Sequence, residues 1–387
     1  VSAWARIARP GRLIGVDLAR TVALVGMIAT HVLDGRTASG ELTVVQELAG
    51  GRASALFAVL AGLSMALLSG GSTPLRGVPL GRATGGLAAR AVLIGALGLL
   101  LGELDTGLAI ILTYYAVLFC LGLPFLALRA SHLAALAAGW VVAAPVLSHL
   151  VRPDLPERGW ESPDLGALTE PGQLVSELLL TGYYPAVPWL AYLLAGMALG
   201  RIDLRRREVP RQLIGGGAVL VVLAIAVSQL CLSTGSVRAA LIPGRVLTGD
   251  EVRRLLQDSQ HGTTPTGAAW QWLLTAAPHS ATPFDLAQTI GSALIAIGLC
   301  LAVVAVLPGA LRPAAALVAG AGAMPLSLYS LHVAMRSPDV WPAEQTGTFG
   351  WHVAVVLGIG AAFTLFGRRG PLEWVVGWPG RRLTSAR

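Results

Sequence analysis

The chain is 387 residues long, 54% hydrophobic and only 13% charged, with a mean hydropathy of +0.68. That excludes a soluble globular domain and indicates an all-α polytopic transmembrane bundle, because backbone in lipid must satisfy its own hydrogen bonds. All 28 basic residues are arginine, and the net charge of +7 is scattered through short loops between apolar spans, which reads as membrane topology and excludes a nucleic-acid-binding stripe. Cys120, Cys231 and Cys300 have neither disulfide nor metal-ligand spacing, so no metal is expected.

A 19-residue hydropathy window predicts about ten spans, at about 13–33, 53–70, 87–102, 107–128, 132–150, 184–200, 212–232, 284–307, 314–335 and 349–367. Most arginines fall in alternate loops: Arg6, Arg9 and Arg12; Arg76, Arg82 and Arg90; Arg129; Arg201, Arg205, Arg206, Arg207 and Arg211; Arg312; and Arg368, Arg369, Arg381, Arg382 and Arg387. The positive-inside rule then places both termini in the cytoplasm.

The first span, RLIGVDLARTVALVGMIATHVLDGR, carries Asp17, Arg20 and His31. Arg20 and His31 are three turns apart, so they lie within about 20° of one another and about 16 Å apart along the axis. Asp17 falls within about 60° of the same stripe. Ionisable groups in a membrane helix are costly and usually functional. Two readings fit this rail. In one, His31 at the external water boundary takes a proton or an acyl group while Arg20 offers charge to an anionic donor. In the other, Asp17 and Arg20 merely satisfy each other and His31 is an ordinary interfacial residue.

Two external loops exceed the usual connection length. Residues 151–183 are Pro-rich and acidic, with Asp154, Glu157, Glu161, Asp164, Glu170 and Glu177; residues 233–283 include a short surface helix over EVRRLLQDSQH. Both are expected to line or lid the external face. His279, before the eighth span, and His332, near the end of the ninth, reach the same depth as His31, whereas His352 opens the tenth and joins no constellation. Gly95, Gly98, Gly102, Gly196 and Gly200 suit close helix packing. GAGAMP (320–325) follows no strand and is not read as a nucleotide loop. Residues 1–370 read as one domain, and the tail 371–387, with Trp374, Trp378 and Arg381, as an interfacial anchor.

Read as Asp17, Arg20, Gly26, Met27 and His31, the first helix resembles the opening of the heparan-α-glucosaminide N-acetyltransferase-like membrane proteins. Its Arg, ten residues, His spacing is also similar to the signature of the wider transmembrane acyltransferase superfamily. GRASALFAVLAG (51–62), ILTYYAVLF (111–119), GYYPAVPWLAYLLAGMALGR (182–201), HSATPFDLAQTIGSA (279–293) and PLSLYSLH (325–332) continue the resemblance in order. It implies transfer of an acetyl group from cytoplasmic acetyl-CoA to a glycan or glycolipid acceptor on the far side, with His31 catalytic and Arg20, paired to Asp17, in the donor channel. Thr21 follows Arg20 where the family usually has Gly, and the loop after His31 lacks aromatic residues, which points away from heparan itself.

Under that reading His279, His332, Tyr183, Tyr184 and Trp189 contact the acceptor, and Arg76, Arg82, Arg205 and Arg206 hold the CoA phosphates. The plainer alternatives are an aromatic belt for the tyrosines and tryptophan, topology charge for the arginines and helix capping around Asp285. Two further functional classes stand beside acyl transfer. One is a transporter or lipid flippase using the rail as a relay; the other is a polyprenyl-phosphate-sugar glycosyltransferase with Asp34, Glu41 or Glu47 as base. Arginine without lysine and abundant Ala and Gly fit a bacterial plasma membrane protein of the cell envelope; a homodimer is left open.

Overall fold

The structure, a computed structural model, describes Ile7 and residues 12–159, 162–245, 247–342 and 347–385. Arg6, Arg9, Glu161 and Arg387 lie outside the described residues. Ten helices carry the architecture: α1 (Ile14–Val32), α2 (Arg52–Leu68), α3 (Gly77–Gly102), α4 (Leu112–Gly122), α5 (Ala130–Val151), α6 (Ala186–Gly200), α7 (Val209–Ser233), α8 (Pro283–Val306), α9 (Pro325–Ala334) and α10 (Thr348–Leu365).

Among the described residues, seven helices are long and apolar enough to cross a membrane, and eight if the pair Pro171–Thr181 and Ala186–Gly200, bent by 50°, is one span. The chain is therefore a multi-pass membrane protein whose embedded helices contact lipid. The sequence reading of ten spans is higher for a physical reason: hydropathy sums across breaks. α4 has only 11 residues, and the ninth stretch is interrupted at 319–324, between Arg312–Val318 and α9. α3 differs in the other direction. It begins ten residues before the apolar window, which brings Arg82 into the helix, and Arg90, grouped with the loop arginines although it falls inside the window, lies in the same helix.

Burial separates centre from rim. More than half of the apolar window is buried in α1 (56%) and α2 (61%), against 22–28% in α3, α5, α7 and α10. The rim helices turn Val92, Val142, Val222 and Trp351 outward, where lipid replaces water. Missing side chains let helices touch. A Cβ on Gly196 of α6 would lie 1.8 Å from the Val59 carbonyl oxygen of α2, and one on Gly98 of α3 would lie 2.5 Å from the Thr113 nitrogen of α4. Successive helices run in alternate directions between an Arg12 end and a His31 end.

At the His31 end, the long connections fold back over the bundle. Buried Arg152, at the close of α5, donates to the Thr264 carbonyl and hydroxyl at 2.7 Å each, tying residues 233–283 down. The expected surface helix is present as Gly249–Gln257 and begins with a capping box, Thr248 with Glu251. At the Arg12 end, the tail helix Pro371–Val376 places Glu373 on the start of α9, accepting from the Leu326 and Ser327 amides at 2.7 and 3.1 Å.

Arg201 is not topology charge alone. Buried at the end of α6, its guanidinium donates to the carbonyls of Ala66 (2.7 Å), Gly71 (2.8 Å), Leu128 (3.2 Å) and Leu126 and to the Ser69 hydroxyl (2.8 Å). One side chain thus closes the ends of α2, α4 and α6. Arg201→Ala orphans these acceptors and should cost about 3 kcal/mol, whereas exposed Arg205→Ala should cost less than about 0.5 kcal/mol. Thermal unfolding in detergent checks this: equal melting temperatures for the two variants would refute the clamp.

Candidate active site across two cavities

The rail on α1 exists, and it is larger than the sequence pattern. Asp17 accepts from Arg20 Nη1 and from Arg12 Nε, both at 2.7 Å, and Arg20 Nη2 donates to Ser64 of α2 at 2.8 Å. Asp17 is thus shared by two arginines, leaving the cluster one positive charge in excess. The break at 319–324 supports it. Thr21 hydroxyl accepts the Gly322 amide at 2.9 Å, and a Cβ on Gly322 would stand 1.8 Å from the Asp17 carbonyl. Gly322 permits this approach to α1, and Gly320 permits another to Gly360 of α10.

At the other end of α1, His31 meets two partners. His31 Nδ1 lies 3.1 Å from His332 Nε2 on α9, and His332 Nδ1 lies 3.0 Å from His352 Nδ1 on α10. His332 and His352 are completely buried. Of the two histidines expected at the depth of His31, His332 touches it and His279 packs on Tyr183 and Tyr184, and the sequence reading missed His352. Its position in the second turn of a helix that starts at this end was the available signal.

The rail separates two cavities. One, of about 130 Å³, is lined by Arg20 and Arg90 and otherwise chiefly by apolar and aromatic side chains, among them Met27, Phe57, Tyr115, Phe119 and Tyr329. The other, of about 790 Å³, holds Thr30 and His31, Glu103, Asp105, Arg158, Asp164, Glu177, Tyr183, Tyr184 and Arg336. Ile110 and Tyr114 face the His31 cavity while Ile111 and Tyr115 face the Arg20 cavity, and the Ile111 amide donates to the Tyr329 hydroxyl at 3.3 Å. From Met27 to Thr30 the wall is about one helical turn thick. Two chambers thus meet at this wall, with His31 on its polar side.

The long loops contribute Arg158, Gly159, Ser162, Asp164 and His261 to the His31 cavity. Tyr183 and Tyr184 belong to an aromatic cluster with His279, at centroid distances of 5.0 and 5.9 Å, and Trp189 packs on Tyr184 at 5.1 Å. Among the described residues, the three non-glycine residues with left-handed backbone, His261, His279 and Ala281, all sit here. Such strain persists where surrounding contacts enforce it. Gly262 N donates to the His279 carbonyl at 2.6 Å, and the Ala281 amide donates to Asp285 at 3.1 Å. Asp285 thus stabilises the turn that presents His279.

The other arginines stand apart. Arg76, Arg205 and Arg206 are exposed, Arg82 is half-buried in α3, and none of the four lines either cavity. Arg90, two turns beyond Arg82, does. Asp34 and Glu41 are also exposed and line neither cavity, and Glu47 faces a separate groove, so none of the three bases named for the glycosyltransferase reading lies in the site.

A family model matches residues 12–230, from α1 into α7: heparan-alpha-glucosaminide N-acetyltransferase, catalytic. The chain belongs to this family. Membership implies a membrane N-acetyltransferase, and the family uses acetyl-CoA as donor. The matched stretch holds Asp17, Arg20, His31 and Arg90, while His279, His332 and His352 lie beyond it. No curated protein matches the chain.

Enclosure of His279 has a measurable consequence. Loss of solvation, reinforced by His261, pushes its imidazole from the usual 6.5 down to about 4. The unfolded chain therefore binds this proton first as pH falls. Stability is unaffected above pH 6.5 and declines from there to about pH 4. His279→Gln should remove that share of the decline, so its melting temperature should gain on that of the wild type as pH drops through this window. Parallel curves for the two proteins would contradict it.

Proposed function

We propose that the protein is a membrane-bound acyltransferase that moves an acetyl or other short acyl group from cytoplasmic acyl-CoA to a glycan or glycolipid on the outer side of a bacterial plasma membrane. In this reading the bent pair, the short α4 and the broken segment 312–334 cross alongside the seven long helices, which gives ten crossings with both termini cytoplasmic, and residues 1–370 form the acyltransferase domain. The tail 371–387 completes its cytoplasmic face. The observation that carries the proposal is the place of His31: at the wall between a cationic, largely apolar chamber and a polar, aromatic one, in a chain of an acetyltransferase family.

Each chamber suits one substrate. Arg20 and Arg90 provide net positive charge for the anionic donor, and the aromatic walls suit its uncharged arm. Arg76, Arg82, Arg205 and Arg206 surround the same end and draw the phosphates in from solution. Across the wall, Tyr183 and Tyr184, with His279 and Trp189 behind them, offer stacking faces to a sugar, and the carboxylates of Asp105, Asp164 and Glu177 accept from its hydroxyls.

In the reaction His31 Nε2 takes the proton of the acceptor hydroxyl or amine as that atom attacks the thioester carbonyl carbon. The carbon–sulfur bond then breaks, and the departing thiolate receives the proton. Arg20 positions the donor. Because Arg12 also binds Asp17, Arg20→Ala leaves the carboxylate paired, and its main effect falls on donor binding.

Acetyl-CoA turnover by purified protein, with acceptor or water, tests the proposal. His31→Ala should lower kcat by at least about a hundredfold with the KM for acetyl-CoA little changed. Arg90→Ala should raise that KM and leave kcat nearly intact. A His31→Ala protein with full turnover would overturn the assignment, and saturation by acetyl-CoA unaffected by Arg90→Ala would displace the donor from this chamber.

A further inference from the structure

His31, His332 and His352 come from three helices and meet ring to ring. The His31 and His332 centroids are 5.3 Å apart with the planes inclined by 8°, and those of His332 and His352 are 5.0 Å apart at 75°. In each pair the centroid separation exceeds the N···N distance of 3.1 or 3.0 Å by about two ring radii. The contacting nitrogens therefore lie on the line of centres, so the N–H of one ring points along the lone pair of the next. The 75° twist does not matter, because it turns about that line. The nitrogens pair in sequence instead of converging on one point, so this is a relay geometry and not a metal site.

Packing alone does not account for it. Apolar side chains would fill the positions of His332 and His352 without the cost of taking two imidazoles out of water. The bonds also couple the tautomers. If His31 carries its proton on Nδ1, it donates to His332 Nε2; His332 then carries its proton on Nδ1 and donates to His352 Nδ1. Only in this arrangement does His31 keep an unprotonated Nε2.

We propose that His332 and His352 are positioning residues that hold His31 in the tautomer competent to act as base, and that the three rings carry the charge of the abstracted proton away from the reacting atoms. The step balances. As His31 Nε2 accepts the acceptor's proton, the Nδ1 proton of His31 moves to His332 Nε2, and that of His332 moves to His352 Nδ1. His31 and His332 end neutral and His352 holds the imidazolium. The reverse sequence returns one proton through His31 Nε2 to the CoA thiolate. The relay rests on the reading of His31 as the base of acetyl transfer.

Two measurements test it separately. With acetyl-CoA, His332→Gln keeps a hydrogen-bonding group beside His31 but cannot pass a proton on. It should leave the KM for acetyl-CoA unchanged, lower kcat by at least about tenfold and reduce the solvent isotope effect on kcat. Unchanged kcat and isotope effect would overturn the relay. The second readout needs no turnover: ¹⁵N NMR of histidine-labelled protein in nanodiscs should show His31 protonated on Nδ1. His352→Phe, which fills the same space without ring nitrogens, should redistribute that proton between Nδ1 and Nε2. An unchanged His31 signal in a folded His352→Phe protein would overturn the coupling even if the wild type turned over acetyl-CoA. A shifted signal in a protein without turnover would retain the chain of rings and reject the acetyl-transfer reading.

Discussion

The structure depends on one constraint: a carboxylate and two guanidinium groups lie within a helical bundle where an unpaired charge is not tolerated. Asp17 answers it by accepting from Arg12 and Arg20 together, and Arg20 answers it a second time through Ser64. That arrangement sets what can surround α1. The chain at 319–324 must break so that Gly322 can reach the Asp17 carbonyl, and the break shortens the segment that follows into α9. α9 in turn places Tyr329 in the wall and His332 beside His31. One electrostatic requirement at one end of α1 is thus linked, through a glycine contact and a short helix, to the histidine contacts at the other.

The two chambers follow from the same packing. Because α4 is short and enters at Leu112, the residues before it, 104–110, line the His31 cavity together with Tyr114, while Ile111, Leu112 and Tyr115 line the Arg20 cavity. The loops that tie down over the His31 end are held by buried Arg152, as the ends of α2, α4 and α6 at the Arg12 end are held by buried Arg201. Arg201 satisfies carbonyls that helix termini leave without partners, whereas Arg152 satisfies a carbonyl and a hydroxyl of a loop.

Periodicity made the polar face of α1 legible, since three turns separate Arg20 from His31, and hydropathy located a helix in each apolar stretch. The convergence of His31 with His332 followed from depth alone. What the sequence did not reveal was mostly long-range pairing. Arg12 looked like one more topology charge, and His352 looked isolated, because neither shares a helix face with its partners. Arg90 reads as one more loop arginine by its charge, although it falls within the apolar window 87–102, yet it is the residue that joins Arg20 on the Arg20 cavity. Arg76, Arg205 and Arg206 have the same composition signal and remain at the surface. Charge type and loop position do not distinguish the two cases; the contacts do.

The account stands on acyl-CoA reaching His31 from the Arg20 side. The most direct measurement is a cryo-EM structure of the purified protein with a non-transferable thioether analogue of acetyl-CoA. The account predicts phosphates at the Arg12 end, the pantetheine arm between Phe57 and Tyr115, and the acyl carbon at His31. An analogue lodged wholly in the His31 cavity, or absent from the Arg20 cavity at saturating concentration, would contradict it.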